Sequence, residues 1–282
     1  MRQEKEGYCG QRDALRIARA ALHMWEEPCI SGTRGSGTVF FSGCNLGCVF
    51  CQNYRVSHRG QGFEIGEQEL IQNMLVLQEA GAHNINLVTP THFSKQLIQV
   101  LKAVKPQLHI PVVYNTGGYE KPETIQMLAP YVDVWLPDFK FGDAKIAKDY
   151  AGAPDYPVVA ARAIAKMHEL AGPVQFDADG MMRSGVLVRH LVLPGCRKDS
   201  IAVLDKLAEV VPVQEIRLSL MSQYTPEFAK DAPFSNLHRR VTSFEYDSVM
   251  EHALILGFIG YMQRRESATA KYTPEFEGED IS

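Results

Sequence analysis

The strongest constraint on the fold of this 282-residue chain is a repeated alternation of short apolar runs with longer amphipathic segments. The apolar runs, such as NINLVTP and IPVVYNT, are rich in β-branched residues. Each is followed by a segment with apolar residues at helical spacing, such as SKQLIQVLKAVK. Strands that alternate with helices indicate βαβ units and a parallel sheet, and near-continuous apolar strands indicate a sheet that is covered on both faces.

About six strand–helix units can be counted, fewer than the eight of a closed α/β barrel. The sequence therefore predicts an α/β fold with a partial (β/α)6 TIM-like barrel of parallel strands; an open doubly wound sheet is the alternative. The segment RDALRIARAALHMW, Arg12–Trp25, has apolar residues at helical spacing and predicts an N-terminal helical extension. The predicted organisation is an N-terminal helix and loop over residues 1–35, a barrel core over 36–262 and a polar tail over 263–282.

Composition and charge exclude several classes of protein. The net charge is −4 and no Lys/Arg block is present, so no nucleic-acid partner is expected. The longest apolar run, His252–Gly260, is about half the length that a membrane-spanning helix needs. The charged N-terminus lacks the apolar core of a signal peptide, which predicts a cytoplasmic protein without a membrane partner. In the cytoplasm thiols stay reduced, so clustered cysteines indicate a metal or redox site.

Polar and reactive residues recur where the predicted strands end. In a parallel α/β barrel these carboxyl ends form one face, and that face carries the active site. Each residue alone also has a structural explanation, such as a cap, an exposed ion pair or a core histidine, but their agreement in position favours a shared site. Adjacent residues in a strand point to opposite faces, and we predict that His190, rather than Arg189, faces the site. The strand-end groups are, in chain order, Cys44 with Cys48 and Cys51, Thr89–His92, Tyr114–Gly118, Pro137–Lys140, Arg189 with His190, and the segment SLMSQYT.

The cysteine segment FSGCNLGCVFCQN has the spacing Cys-x3-Cys-x2-Cys and contains two glycines that allow a tight turn. A zinc site formed by these thiols and His58 is one interpretation, although zinc sites usually contain two ligand pairs. An iron–sulfur cluster is the other, and three thiolates would then leave one iron open for a substrate or cofactor. If the site only transfers electrons, the fourth ligand could come from Cys9, Cys29 or Cys196.

The cysteine spacing, with an aromatic residue just before the last cysteine, resembles the signature of the radical S-adenosylmethionine (SAM) superfamily. A wider match, GSGTVFFSGCNLGCVFCQN with NINLVTPTHF, VYNTGGYE, LPDFK and VRHLVLPG, resembles uncharacterised iron–sulfur proteins related to pyruvate formate-lyase activating enzyme. It extends from Gly7 to about residue 262. The resemblance implies one [4Fe–4S] cluster, whose open iron is chelated by the methionine amine and carboxylate of SAM. Its protein ligands would be Cys44, Cys48 and Cys51.

The resemblance also implies an activity. The reduced cluster would cleave SAM to a 5′-deoxyadenosyl radical, which would abstract hydrogen from a substrate. The substrate expected first is a glycine of a partner glycyl radical enzyme, and the electron would come from a donor such as flavodoxin or ferredoxin. One alternative is a radical SAM enzyme that acts on a small molecule or on another peptide position. The other is an electron-transfer or structural metal protein whose site is fully ligated.

A further set of residues is implied as SAM-binding. Where many relatives carry Gly-Gly-Glu to hold the methionine amine, this chain has threonines instead, so hydroxyl groups or main-chain carbonyls would have to bind the amine. The implied residues are Phe50 and Asn53 on the adenine side, Thr89 and Thr91 at the amine, Asn115, Thr116 and Gly117 near the ribose, and Asp138, Lys140 and His190 around the ribose and carboxylate.

Overall fold

The computed structural model describes residues 14–262, and strands alternate with helices along this part of the chain. The strands are β1 (Arg16–His23), β2 (Ser36–Phe41), β3 (Phe63–Glu64), β4 (Ile85–Val88), β5 (Val112–Thr116), β6 (Val134–Pro137), β7 (Gln175–Phe176), β8 (Met182–Leu191), β9 (Arg217–Met221) and β10 (Gly260–Met262). The helices are α1 (Pro28–Ser31), α2 (Tyr54–Ser57), α3 (Glu67–Glu79), α4 (Ser94–Val104), α5 (Pro122–Leu128), α6 (Ala144–Ala151), α7 (Tyr156–Ala171), α8 (Arg197–Val210) and α9 (Ser243–Ile255).

The sheet is mostly parallel and follows the predicted order. Strands β2, β4, β5, β6, β8 and β9 pair in parallel in that sequence, and β10 adds in parallel beside β9. Each of the first six is followed by a helix before the next parallel strand, which confirms the predicted six β/α units. Three short or peripheral pairings are antiparallel: β1 with β2, β3 with β1, and β7 with β8.

The predicted N-terminal helix is wrong, because this segment forms the strand β1. It pairs along the edge of β2, with Ile17 opposite Phe41 and His23 opposite Ser36. The alanine, leucine and arginine residues of this segment favour a helix locally, but the open edge of β2 supplies backbone hydrogen bonds that outweigh this weak preference. Ile17 is completely buried, whereas Leu22 is 40% exposed, so the strand covers the sheet only in part.

The two faces of the sheet have different neighbours. On β5 and β6, alternate residues such as Tyr114 and Trp135 belong to the large core that contains the helices. The residues between them face inward and form a separate small apolar cluster with α1. Toward the carboxyl ends of the strands, the inward positions become polar, which places charged side chains above an apolar floor. The small cluster consists of Cys29, Ile30, Val113, Val134, Leu136, Met182 and Leu187.

Within residues 14–262, no helix combines the length and the apolar character that crossing a bilayer requires. The predicted polar tail over 263–282 and the first candidate fourth ligand, Cys9, lie outside the described residues.

Candidate functional site

A cavity of about 260 Å³ lies at the carboxyl ends of the parallel strands. Its wall combines the cysteine loop with the ends of the strands from β2 to β9, as the strand-end pattern predicts. Two predicted residues, Thr91 and His190, are not in its lining. The predicted residues that do line it are Cys44, Cys48, Phe50, Cys51, Asn53, Thr89, Asn115, Thr116, Gly117, Asp138 and Lys140.

The cysteine loop is held from both sides. Gly43 adopts a φ of +89°, which turns the chain directly after β2, and its N–H donates to the Val56 carbonyl at 3.0 Å. On the other side, the Val49 N–H donates to the carbonyl of Tyr150 in α6 at 2.9 Å. Phe50 packs edge-on against two aromatic rings with centroid distances of 6.2 Å. The loop is therefore fixed by the fold before any ligand binds.

The three thiols of this loop share one wall of the cavity. The Leu46 N–H donates to Cys44 Sγ at 3.4 Å, and Cys51 Sγ lies 3.1 Å from the Ser57 hydroxyl. Burial raises the pKa of Cys44 to about 11, and it also raises the pKa of Cys48 and Cys51. Bare thiols are therefore protonated at neutral pH, and binding iron must displace their protons.

The thiols of the cysteine loop are the donor type that an iron–sulfur cluster requires. Among residues 14–262, no three His, Cys, Asp or Glu side chains are grouped closely enough to hold a metal ion. The turn after β5 approaches the loop closely: a Cβ at Gly117 would lie only 2.9 Å from Leu46 Cδ1. Glycine at this position therefore lets the turn pack closely against the cysteine loop.

A buried charge network lies beside the thiols. Lys140 pairs with Asp138, whose other oxygen accepts from Arg189 Nε at 3.0 Å. Arg189 also donates to Glu26 at 3.1 Å and to Asn115 at 2.5 Å. Burial alone would raise the pKa of Asp138, but the two cations outweigh it and hold that pKa below its usual value. Asp138 is therefore a carboxylate that fixes both cations at the cavity wall.

Two acidic residues of this network, Glu26 and Glu27, were not predicted from the sequence. Glu26 lines the cavity, and Glu27 is buried next to it with an Oε2 that has no hydrogen-bond partner among the described residues. Burial raises the pKa of both carboxyls, and Arg189 opposes that rise. The segment EEPCISG is rich in loop-forming residues, so Glu26 and Glu27 were interpreted only as part of a loop. No local pattern in the sequence indicated that Glu26 would reach the cavity.

The prediction for His190 is wrong, and Arg189 takes its place in the cavity. His190 is 1% exposed, and its Nδ1 lies 2.7 Å from the Phe139 carbonyl. The pairing of β8 with β9 is uninterrupted from Leu187 to Leu191, so no bulge brings both neighbours to one face. Burial lowers the pKa of His190 to about 4, so it is a neutral core side chain.

The turn after β4 has an unusual backbone. Thr89 has a φ of +56°, the single positive value of a non-glycine residue between residues 14 and 262, and it lines the cavity. This conformation is costly for a β-branched residue, and it persists only where the surroundings enforce it. Thr91 lies behind the turn rather than in the cavity, against its prediction. Its hydroxyl donates to Glu120 at 2.5 Å, and Thr116 donates to the same oxygen at 2.5 Å.

Glu120 should make the stability of the protein dependent on pH. Burial raises the pKa of its carboxyl from 4.5 to about 7. The folded state then holds a proton more tightly than the unfolded state, so this contribution is complete below the unfolded pKa. It is lost progressively as the pH rises from 4.5 through about 7, by roughly 3 kcal/mol. We expect Glu120→Gln to remove this part of the pH dependence, measured by urea unfolding at a series of pH values.

This chain is similar in sequence and in fold to known proteins. The family model of the radical SAM superfamily matches residues 38–216, which contain the cysteine loop and every strand from β4 to β8. The chain belongs to the radical SAM superfamily. It is therefore a radical SAM enzyme that uses a [4Fe–4S] cluster and SAM, as the resemblance implied.

A curated relative of this radical SAM protein is the uncharacterized protein MJ0674 of Methanocaldococcus jannaschii. The two are 29% identical over 266 residues, which cover 89% of this chain and 70% of the relative.

Solved structures show the same fold at low sequence identity. Streptococcus suis SuiB bound to its precursor peptide SuiA matches 80% of this chain with a TM-score of 0.55 and 13% identity. HydG, a maturase of the [FeFe]-hydrogenase, matches 78% of this chain with a TM-score of 0.51 and 13% identity. The chain spans about half the length of both proteins, 48% in each case. These likenesses confirm the partial-barrel fold.

Proposed function

We propose that this radical SAM enzyme removes a hydrogen atom from a polypeptide, with a glycine Cα–H of a partner glycyl radical enzyme as the leading substrate. The observation that carries the proposal is the construction of one cavity wall from three thiols and a buried cation network. The same cavity is also lined by Trp25, whose indole is 54% exposed. A large exposed aromatic side chain at a cavity suits a macromolecular ligand better than a small enclosed one.

In this proposal Cys44, Cys48 and Cys51 would hold the cluster, and the other residues of the cavity would hold SAM beside it. When both groups are bound, they supply a carbon-centred oxidant that can take one hydrogen atom from the substrate. The residues of the chain bind and orient SAM and exclude water from the site.

Lys140 is the cation best placed to bind the SAM carboxylate. The guanidinium of Arg189 is already engaged by Asp138, Glu26 and Asn115. The Lys140 ammonium carries three donors, and the pairing with Asp138 fixes its position. The backbone of the strained turn at Thr89 lies in the same cavity and offers carbonyl groups for the SAM amine.

Lys140→Ala should weaken SAM binding while leaving the cluster intact. Loss of a charge-assisted hydrogen bond to a carboxylate corresponds to an increase of the dissociation constant by about tenfold or more. Anaerobic equilibrium dialysis with labelled SAM measures this, and iron and sulfide content checks the cluster. The matched control is Lys148→Ala, which removes an exposed lysine of α6 outside the cavity. An unchanged dissociation constant for Lys140→Ala would remove this residue from the SAM site.

The alternative with a fully ligated metal site requires a fourth ligand, and among residues 14–262 no fourth thiol lines the cavity. Within the described chain, Cys29 belongs to the apolar cluster below the site, and Cys196 lies 3.8 Å from the Tyr150 hydroxyl. Neither lines the cavity. An alternative radical SAM reaction on a small molecule keeps the same cofactor residues and differs only in what enters beside Trp25.

The test uses isotope transfer. An extract of the host organism, grown on α-deuterated glycine, is separated into macromolecules and small molecules and offered to the reconstituted enzyme with SAM and a reductant. We expect deuterium in 5′-deoxyadenosine from the macromolecular fraction only. Deuterium from the small-molecule fraction alone would favour the alternative substrate class. Parallel extracts labelled on other amino acids test the glycine assignment, and transfer from one of them instead would contradict it.

A further inference from the structure

One sulfur of the cysteine loop has a side-chain hydroxyl beside it. Ser57, the last residue of α2, lines the cavity, and its Oγ lies 3.1 Å from Cys51 Sγ. Cys44 Sγ instead accepts from the backbone N–H of Leu46 at 3.4 Å. The surroundings of Cys51 therefore differ from those of Cys44, and the difference comes from a residue outside the Cys-x3-Cys-x2-Cys segment.

The position of the Ser57 hydroxyl is fixed by its neighbours. Its Oγ lies 2.8 Å from His58 Nδ1, and the His58 ring stacks on Tyr54 with a centroid distance of 4.7 Å. The Asn53 carbonyl lies 3.0 Å from the hydroxyl, but it already accepts from the N–H groups of Val56 and Ser57. The hydroxyl is therefore held beside the sulfur, and this carbonyl competes poorly for its proton.

Binding of iron decides the direction of the hydrogen bond between Ser57 and Cys51. In the thiol form either atom can be the donor. Burial raises the pKa of Cys51, whereas the contact with Ser57 lowers it, so the hydroxyl favours the thiolate form. A ligating sulfur has lost its proton, and the hydroxyl then holds the one proton between the two atoms. Burial lowers the pKa of His58, and its neutral ring nitrogen is a weaker acceptor than a negatively charged sulfur.

We propose that Ser57 is a positioning residue of the cluster site: its hydroxyl donates a hydrogen bond to the sulfur of Cys51 and raises the reduction potential of the cluster. The inference rests on the proposed ligation by Cys51 and does not depend on the substrate. On reduction one electron is added and the hydroxyl proton stays on its oxygen, so the hydrogen bond stabilises the added negative charge. Reduction by a given donor is therefore more favourable than it would be without the hydroxyl.

The experiment measures the midpoint potential of the reconstituted cluster without SAM, by dithionite titration followed by electron paramagnetic resonance. Ser57→Thr and Ser57→Val introduce side chains of nearly the same shape, and only the first keeps a hydroxyl. We expect Ser57→Val to lower the equilibrium constant for one-electron reduction by about tenfold, which corresponds to a decrease in potential of about 59 mV. Ser57→Thr should stay near the wild type. The matched control is Ser42→Ala, which removes a buried hydroxyl that donates to the Gln61 carbonyl, two residues before Cys44.

A second readout follows the proton itself. In D₂O, electron–nuclear double resonance of the reduced cluster should show one exchangeable deuteron coupling in the wild type and in Ser57→Thr that is missing in Ser57→Val. Equal potentials in the two Ser57 variants overturn the proposal, and so does an equal shift in Ser42→Ala. Iron content tests the ligation separately. A full four-iron cluster in Cys51→Ala would overturn the proposed ligand and this inference with it. Loss of the cluster there, with equal potentials in the Ser57 variants, would overturn only the role of the hydroxyl.

Discussion

Cys48→Ala should abolish the four-iron cluster and, with it, all cleavage of SAM. Cys48 lies between the other two thiols in the loop and is 8% exposed, and its sulfur lines the cavity together with theirs. Two remaining thiolates would leave a second iron without a protein ligand, so we expect the cluster to be lost. The measurement is iron and sulfide content after anaerobic reconstitution, with the visible absorption of the cluster and the yield of 5′-deoxyadenosine as further readouts. We expect that yield to fall below detection.

The control for this variant is Cys196→Ala, which removes a buried thiol that does not line the cavity. It should keep the full iron content and the full yield of 5′-deoxyadenosine. Each substitution removes only a small side-chain group, so both variants should fold. Circular dichroism checks this. A complete four-iron spectrum in Cys48→Ala would show that the ligand assignment is wrong. Loss of the cluster in Cys196→Ala would instead identify a fourth thiolate and favour the electron-transfer alternative.

The order of strands and helices was predictable because each element depends on a local sequence pattern. The runs that form β4, β5 and β6 are apolar and β-branched, and the segments between them have apolar residues at helical spacing. The placement of the site followed from the same pattern, since parallel strands must direct their carboxyl ends to one side. This explains why the strand-end pattern alone could group the cysteines with Asn115, Asp138 and Lys140, all of which line the cavity.

The conformation of the N-terminal segment was not predictable in this way. Residues 16–23 contain three alanines, two arginines and a leucine, which are good helix formers. What decides their conformation is the unpaired edge of β2, a partner that lies at least 13 residues further along the chain. The spacing of apolar residues within the segment carries no information about such an edge. Glu26 was missed for the same reason, because the strand β1 delivers it to the cavity and a helix would not.

The choice between Arg189 and His190 depended on strand register. The local sequence makes the two residues neighbours on opposite faces but does not say which face is inner. The uninterrupted pairing of β8 with β9 fixes that choice. Chemistry offered a second criterion, because a buried arginine needs carboxylate partners, and Asp138 stood at the end of the neighbouring strand. The charge of Asp138 favours Arg189 as the residue that faces the cavity, whereas the reactivity of the imidazole favoured His190.

Arg189→Met should be the most destabilising single substitution at the site. Arg189 is the common neighbour of Glu26 and Asp138, and it also offsets the buried charge of Glu27. Methionine fills a similar volume without charge, so the three carboxyls lose their central cation. Breaking a buried ionic group by removing one partner costs about 3–5 kcal/mol. We expect a decrease of this size in the free energy of unfolding, measured by urea denaturation at pH 7.

The pH dependence of this variant gives a second, independent readout. Burial already raises the pKa of Glu26 and Glu27 in the folded state, and Arg189 opposes the rise. Without the guanidinium the folded-state pKa values rise further, while those of the unfolded chain stay near 4. The folded variant therefore holds protons more tightly, so its stability is retained below about pH 4 and is lost as the pH increases. The deficit relative to the wild type should be small in acid and grow toward neutral pH.

A double substitution separates this electrostatic explanation from a loss of packing. Glu26→Gln removes one of the carboxyls but keeps its shape, so Arg189→Met/Glu26→Gln leaves less uncompensated charge. We expect the double variant to be more stable than the sum of the two single effects requires, with a coupling of about 1–3 kcal/mol. Strictly additive effects and a pH-independent deficit would mean that Arg189 acts through its volume. In that case the cavity floor would be stabilised by packing, and Lys140 would be the cation on which Asp138 depends.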